Sequence, residues 1–136
     1  VQGVRAWDAI HQFALEQQGA LEIVGIGLDV TQVSRFTTAA ARQGLLGRVF
    51  TAAEQDSSMQ RMAGRFAAKE ALAKALGAPS GLVWTDVEVR KDEAGKPYFA
   101  CVGTVAALVA ELGIASIHLS ITHDAGIAAA VVVCEA

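Results

Sequence analysis

Apolar residues recur along this chain in two periods, close to 3.6 and close to 2, and the switches between them mark its elements. Between Val4 and Gln18, residues Trp7, Ile10, Ala14 and Leu15 fall at helical spacing ahead of Gly19, which predicts a short amphipathic helix. The run from Glu22 to Leu28 is, after Glu22 itself, apolar apart from its glycines. It predicts a buried strand in which Gly25 and Gly27 permit close backbone approach and whose end delivers Asp29. Thr31 then stands as a candidate N-cap, and Val33, Phe36, Ala39 and Ala40 predict a helix closed near Gly44. Arg35 and Arg42, seven apart, would share its outer face.

Thr51 and Glu54 fit a capping box that opens another helical region. The longest helical pattern runs from about Ser58 to Leu76 and stops at Gly77, with Pro79 and Gly81 beyond it. Val83 to Arg90 and Tyr98 to Val102 alternate apolar with polar residues around a turn-like Asp92 to Gly95, a hairpin with Lys96 and Pro97 at its return. Thr104 to Leu112 reads as a helix, Ile117 to Thr122 as a strand, and Gly126 to Cys134 as a last buried strand. Helices and strands mix without strict alternation, so the pattern predicts an α+β fold. No repeat, low-complexity tract or charged linker divides the 136 residues, and one domain is expected.

A hydrophobic content of 53% excludes disorder, yet no stretch reaches the roughly 18–20 uninterrupted apolar residues of a membrane helix. Asp8, His11 and Glu16 interrupt the N-terminus, which lacks the pattern of a secretory signal, so a cytoplasmic location is expected. Cys101 and Cys134 are far apart and read as small reduced core residues. A net charge of -3 argues against a general nucleic-acid binder. Arg35, Arg42, Arg48, Arg61 and Arg65 nevertheless cluster in a segment with few acids beyond Glu54 and Asp56, a cationic patch suited to an acidic partner or a phosphorylated ligand.

Gly25-Ile26-Gly27 does not open a dinucleotide loop, because Val30 occupies the third glycine position of G-x-G-x-x-G. Asp29 is then either a helix cap or a carboxylate placed for chemistry. Phe66, Glu70 and Lys74 recur every four residues and line one face of the long helix. Glu70, beside an apolar stripe, needs compensation from Lys74 or a metal unless it forms a solvated pair with that lysine. His118 and His123, five apart on one strand, make a poor metal pair, and Ser120, His123 and Asp124 are too local for a catalytic triad.

Taken together, Gly-Ile-Gly-Leu-Asp ending at Asp29, Gly-Arg-Phe-Ala-Ala-Lys-Glu-Ala-Leu-Ala-Lys ending at Lys74, and Ser-Ile-Thr-His-Asp from Ser120 resemble the holo-acyl-carrier-protein synthases over Ile23 to Glu135. The resemblance implies the 4'-phosphopantetheinyl transferase fold, a mainly antiparallel sheet packed against a long helix, in a domain spanning 22–136 behind an N-terminal helical extension, 1–21. It implies transfer of 4'-phosphopantetheine from coenzyme A to a serine of an acyl carrier protein, or of a carrier domain in a fatty-acid or polyketide synthase, releasing 3',5'-ADP.

Asp29 and Glu70 would hold magnesium, a pair of hard oxygen donors that suffices when substrate phosphates and water complete the shell. Asp29, Glu70 and Lys74 would be catalytic. Lys74, Gly77, Lys96, Pro97, Thr122 and His123 would line the coenzyme A cleft, and Arg35 and Arg42 would dock the acidic carrier. A homotrimer with active sites shared between neighbours is implied, with no nucleic acid and no membrane. Ala78-Pro79-Ser80 departs from the glycine-rich loop of similar proteins. The competing readings are a non-catalytic module that binds coenzyme A or a carrier protein, and a metal-free structural trimer.

Overall fold

Gly25 and Gly27 bring a strand and the longest helix into main-chain contact. The computed structural model describes residues 6–13, 21–56 and 58–136. Strand β1 (Ile23–Gln32) carries both glycines, and helix α4 (Met59–Ala75) lies across them. A Cβ added at Gly25 or Gly27 would overlap the carbonyl oxygen of Ala75 or Ala71 respectively. The close approach read from the sequence is therefore a steric requirement for glycine.

The other elements are α1 (residues 6–13), α2 (Val33–Ala40), α3 (Leu45–Val49), β2 (Val87–Lys91), β3 (Pro97–Cys101), α5 (Gly103–Glu111), β4 (Ser116–Asp124) and β5 (Ile127–Glu135). Among the described residues, β1, β5 and β4 form an antiparallel sheet in that order, and β2 pairs with β3 in a separate hairpin. This is the α+β architecture expected, a mainly antiparallel sheet against a long helix.

Central β5 alternates cleanly: Ala128, Ala130, Val132 and Cys134 are buried toward α4. Ala130, Val132 and Cys134 meet Ala67, Ala71, Leu72 and Val105 in the main core, while Ala128 joins a second, smaller cluster. Alanine predominates on α4 because helix and sheet sit too close for larger residues. The smaller cluster joins Phe36, Phe50, Met62 and Ala63, with the Phe36 and Phe50 rings edge-to-face at 6.1 Å. The opposite sheet face is open: Ile26, Leu28 and Val30 of β1 are about three-fifths exposed, with Ile127 and Val131 of β5 beside them.

Several boundaries differ from the sequence reading. β1 continues through Asp29 to Gln32, held by pairing of Asp29 with Ala130 and Thr31 with Ala128, so Asp29 lies inside the strand. Thr31 is consequently not a helix cap; Gln32 occupies that position, and the Thr31 hydroxyl donates to Asp29 Oδ2 at 2.7 Å. α2 ends at Ala40, which leaves Arg42 in the following turn and off the helix face assigned to it. Thr51 and Glu54 do form their box, with Thr51 N–H donating to Glu54 Oε1 at 2.9 Å, but it opens only the 3-10 turn Ala52–Glu54. The first hairpin strand starts at Val87, after a 3-10 turn over Trp84–Asp86, and β4 runs on to Asp124 and takes His123 into the strand.

Of the helix expected over 4–18, residues 6–13 are helical and exposed; its remainder lies outside the described residues. The Ser58 hydroxyl caps α4 by accepting from Arg61 N–H. Beyond its other end Gly77 N–H reaches Lys74 O and Ala78 N–H reaches Ala73 O, the paired bonds of a Schellman stop.

Candidate active site

Alternation along β1 turns Asp29 to the same side as Gly27, toward α4, while Glu70 emerges from α4 into the cavity that Asp29 lines. This cavity of about 430 Å³ also takes in Arg35, Arg42, Phe36 and Phe66. Asp29 accepts from the Thr31 hydroxyl and, at 3.3 Å, from Lys74 Nζ, which also donates to Leu28 O at 2.8 Å. Lys74 thus straps the helix to the strand beside the carboxylates.

Loss of hydration raises the Glu70 carboxyl above its ordinary range, the negative charge of Asp29 adds to that, and Lys74 partly offsets both. A desolvated carboxylate facing the negative charge of a second one invites a cation. The pair fits magnesium: both donors are hard oxygens, and among the described residues no third acidic, histidine or cysteine ligand joins them, which leaves positions for water and phosphate oxygens.

The orientation of Glu70 rests on its neighbour. Lys69 turns into the interior, where Nζ donates to Glu54 Oε1 at 2.7 Å, Val49 O at 2.6 Å and Trp84 O at 3.0 Å, using all three donors. Glu54 Oε2 accepts Val89 N–H at 2.8 Å. Both side chains are 2% exposed or less. Burial lowers the Lys69 pKa, and its bond to Glu54 opposes that. With Lys69 fixed inward, the helix can only present Glu70 to the cavity.

A second cleft of about 340 Å³ lies between α4, the hairpin and β4, lined by Arg61, Gly64, Arg65, Arg90, Lys91, Pro97 and His123. Arg61 and Arg65 are tethered to Asp56, and Arg90 to Glu88. Lys74 and Gly77 line a third recess with Val24, Ile26 and Leu112.

The structure therefore gathers Asp29, Glu70, Arg35 and Arg42 in one cavity, with Lys74 bonded to Asp29. Pro97 and His123 stand in the separate cationic cleft, whose lining includes neither Lys96 nor Thr122. Thr122 precedes His123 on β4 and alternates to the open face of the sheet. Sequence reasoning missed the Lys69–Glu54 pair, although Lys69 lies seven residues from both Met62 and Leu76, on a face that recurs as apolar. Arg90 and Lys91 carry no signal in the sequence beyond that of ordinary strand ends.

A strand carboxylate and a helix carboxylate in one cavity, a lysine strapped between them and cationic recesses alongside define a family: the chain belongs to the 4'-phosphopantetheinyl transferase superfamily, whose family model matches residues 25–132. Within it, the similar curated proteins are holo-[acyl-carrier-protein] synthases. That of Streptomyces coelicolor is 52% identical over 122 residues, covering 85% of this chain and 99% of the relative. Among solved structures, the holo-[acyl-carrier-protein] synthase of Neisseria meningitidis superposes with a TM-score of 0.75 at 31% identity, over 85% of this chain and 100% of that one. The Helicobacter pylori enzyme, solved in complex with coenzyme A, gives 0.72 at 31% identity, over 80% and 98%.

Proposed function

We propose that this chain is a holo-[acyl-carrier-protein] synthase, transferring 4'-phosphopantetheine from coenzyme A to a serine hydroxyl of an acyl carrier protein or carrier domain. The observation that carries the reading is the Asp29–Glu70 pair facing one cavity beside Lys74. In the reaction the serine oxygen bonds to the phosphorus that bears pantetheine, the bond from that phosphorus to the bridging oxygen breaks, and 3',5'-ADP leaves while the hydroxyl proton passes to a base.

Asp29 and Glu70 would hold magnesium, which when bound neutralises charge on the pyrophosphate. Lys74, already at the carboxylates, would set its ammonium against phosphate oxygens and steady the charge that gathers on the leaving group. Gly77 borders the same end of α4. His123 and Pro97, with the arginines around them, suit the phosphate-bearing end of coenzyme A, and Lys96 and Thr122 would approach it from outside the cleft. Arg35 and Arg42, exposed at the cavity rim, suit an acidic carrier surface and would steer its approach.

The carboxylate cavity and the histidine cleft are separate within one copy, and an apolar sheet face lies open. These features support a homotrimer in which that face is covered and neighbouring copies complete each site. Residues 1–21 are read as an extension ahead of the transferase domain 22–136. The free cysteines fit a cytoplasmic enzyme supplying carriers for fatty-acid synthesis; among the described residues no helix is long and apolar enough to cross a membrane.

The test is mass spectrometry of an apo carrier protein incubated with the chain and coenzyme A, with magnesium and then with chelator. The expected result is a magnesium-dependent gain of one phosphopantetheine. No gain across several acceptors would return the chain to a coenzyme A- or carrier-binding module.

A further inference from the structure

Gly64 stands in the interior of α4, within a helix otherwise rich in alanine, at a position where alanine would favour the helix. The composition of the helix thus gives no local reason for a glycine. The reason lies across the interface with β4. A Cβ built at Gly64 would stand 2.5 Å from His123 Nε2, 3.0 Å from His123 Cε1 and 3.2 Å from Ile121 Cγ2. The imidazole edge occupies the space that any side chain at 64 would fill.

The His123 ring makes no hydrogen bond to a described residue, so packing against the bare backbone of α4 is what places it. That ring lies in the cleft it shares with Arg61, Arg65, Arg90 and Lys91. Arg61 and Arg65 are held by Asp56, Arg65 also donates to the Glu54 carbonyl and Arg90 is paired with Glu88, so three of the four cations around the ring are themselves fixed. A ring nitrogen kept at one point among fixed cations contributes one more donor to a phosphate.

We propose that Gly64 is the positioning residue for His123: the absence of a side chain at 64 seats the imidazole in the cationic cleft and so sets the affinity for the phosphate-bearing end of coenzyme A. The inference rests on the reading of that cleft as part of the coenzyme A site. The atom that must give way to a methyl group is the far edge of a side chain rather than backbone, so Gly64→Ala is expected to fold and to melt no lower than the unsubstituted protein.

Steady-state transfer kinetics with saturating carrier protein and varied coenzyme A test it on Gly64→Ala, His123→Ala and the double variant. Gly64→Ala is expected to raise KM for coenzyme A about tenfold while kcat stays within about twofold, the effect of removing one charge-assisted hydrogen bond that ground state and transition state share equally. The double variant is expected to match His123→Ala alone, because with the ring gone the methyl group meets nothing there. An unchanged KM in Gly64→Ala, or a full additional loss on the His123→Ala background, overturns the positioning role. A direct readout separates the two layers: the imidazole NMR resonances of His123 should shift in Gly64→Ala while those of His118 stay, and unmoved resonances overturn the seat. If His123→Ala itself leaves KM for coenzyme A unchanged, the phosphate reading of the cleft falls instead.

Discussion

Lys69 and Glu54 meet at 2.7 Å in the interior, fifteen residues apart in sequence, and fasten α4 to the 3-10 turn, to α3 through Val49 O and to the hairpin through Val89 N–H. Removing one partner leaves the other charged and dry, which costs about 3–5 kcal/mol. Lys69→Met is expected to destabilise the protein by about that amount in urea unfolding, and to reduce transfer further by freeing the helix to rotate Glu70. A loss below about 1 kcal/mol would show the pair to be dispensable.

Glu70 gives a pH dependence with a definite sign. Its carboxyl titrates above the ordinary value in the folded chain, so the folded state holds its proton more tightly than the unfolded state does. Ionising Glu70 therefore costs stability above its folded pKa, and that cost disappears as pH falls below the unfolded value. Glu70→Gln should melt at or above the temperature of the unsubstituted protein at neutral pH, with the gap closing in acid. The same variant should lose magnesium-dependent transfer. A variant less stable at neutral pH than in acid, relative to the parent, contradicts the assignment.

Arg35 lies on the rim of the carboxylate cavity with its guanidinium exposed. Arg35→Glu is expected to raise KM for the carrier protein by about tenfold or more at low salt, to leave KM for coenzyme A within about twofold, and to lose most of its effect at high salt. Equal losses for both substrates would remove the docking role.

If neighbouring copies complete each site, two impaired variants can rescue each other. Glu70→Gln chains damage the carboxylate cavity and His123→Ala chains the cationic cleft. Mixed and reassembled, they should at subsaturating coenzyme A turn over faster than the average of the two separate assemblies, because some sites then draw both intact halves. No recovery in assemblies whose mixing is verified by mass would place each site within one chain.

What the sequence disclosed was local. Glu70 and Lys74 were legible because a four-residue spacing puts them on one helix face, and Gly25 and Gly27 because a strand so poor in side chains must lie against something. Asp29 is legible as a carboxylate but not as a residue inside its strand, since only pairing with Ala130 on β5 shows that the strand continues. Arg42 left its helix because α2 stops at Ala40. The Lys69–Glu54 pair, the shared cleft of Arg65 and His123, and the fit of His123 over Gly64 all join segments distant in sequence, and no periodicity within either segment encodes them.

Where β1 crosses α4 nothing but main chain separates them, Gly25 against the Ala75 carbonyl and Gly27 against that of Ala71. The span from Asp29 to Glu70 is therefore gauged by peptide atoms rather than by rotamers that could be exchanged for others. Enlarging or trimming core side chains elsewhere can soften this protein long before it alters that span, so stability and ligand geometry are free to drift separately.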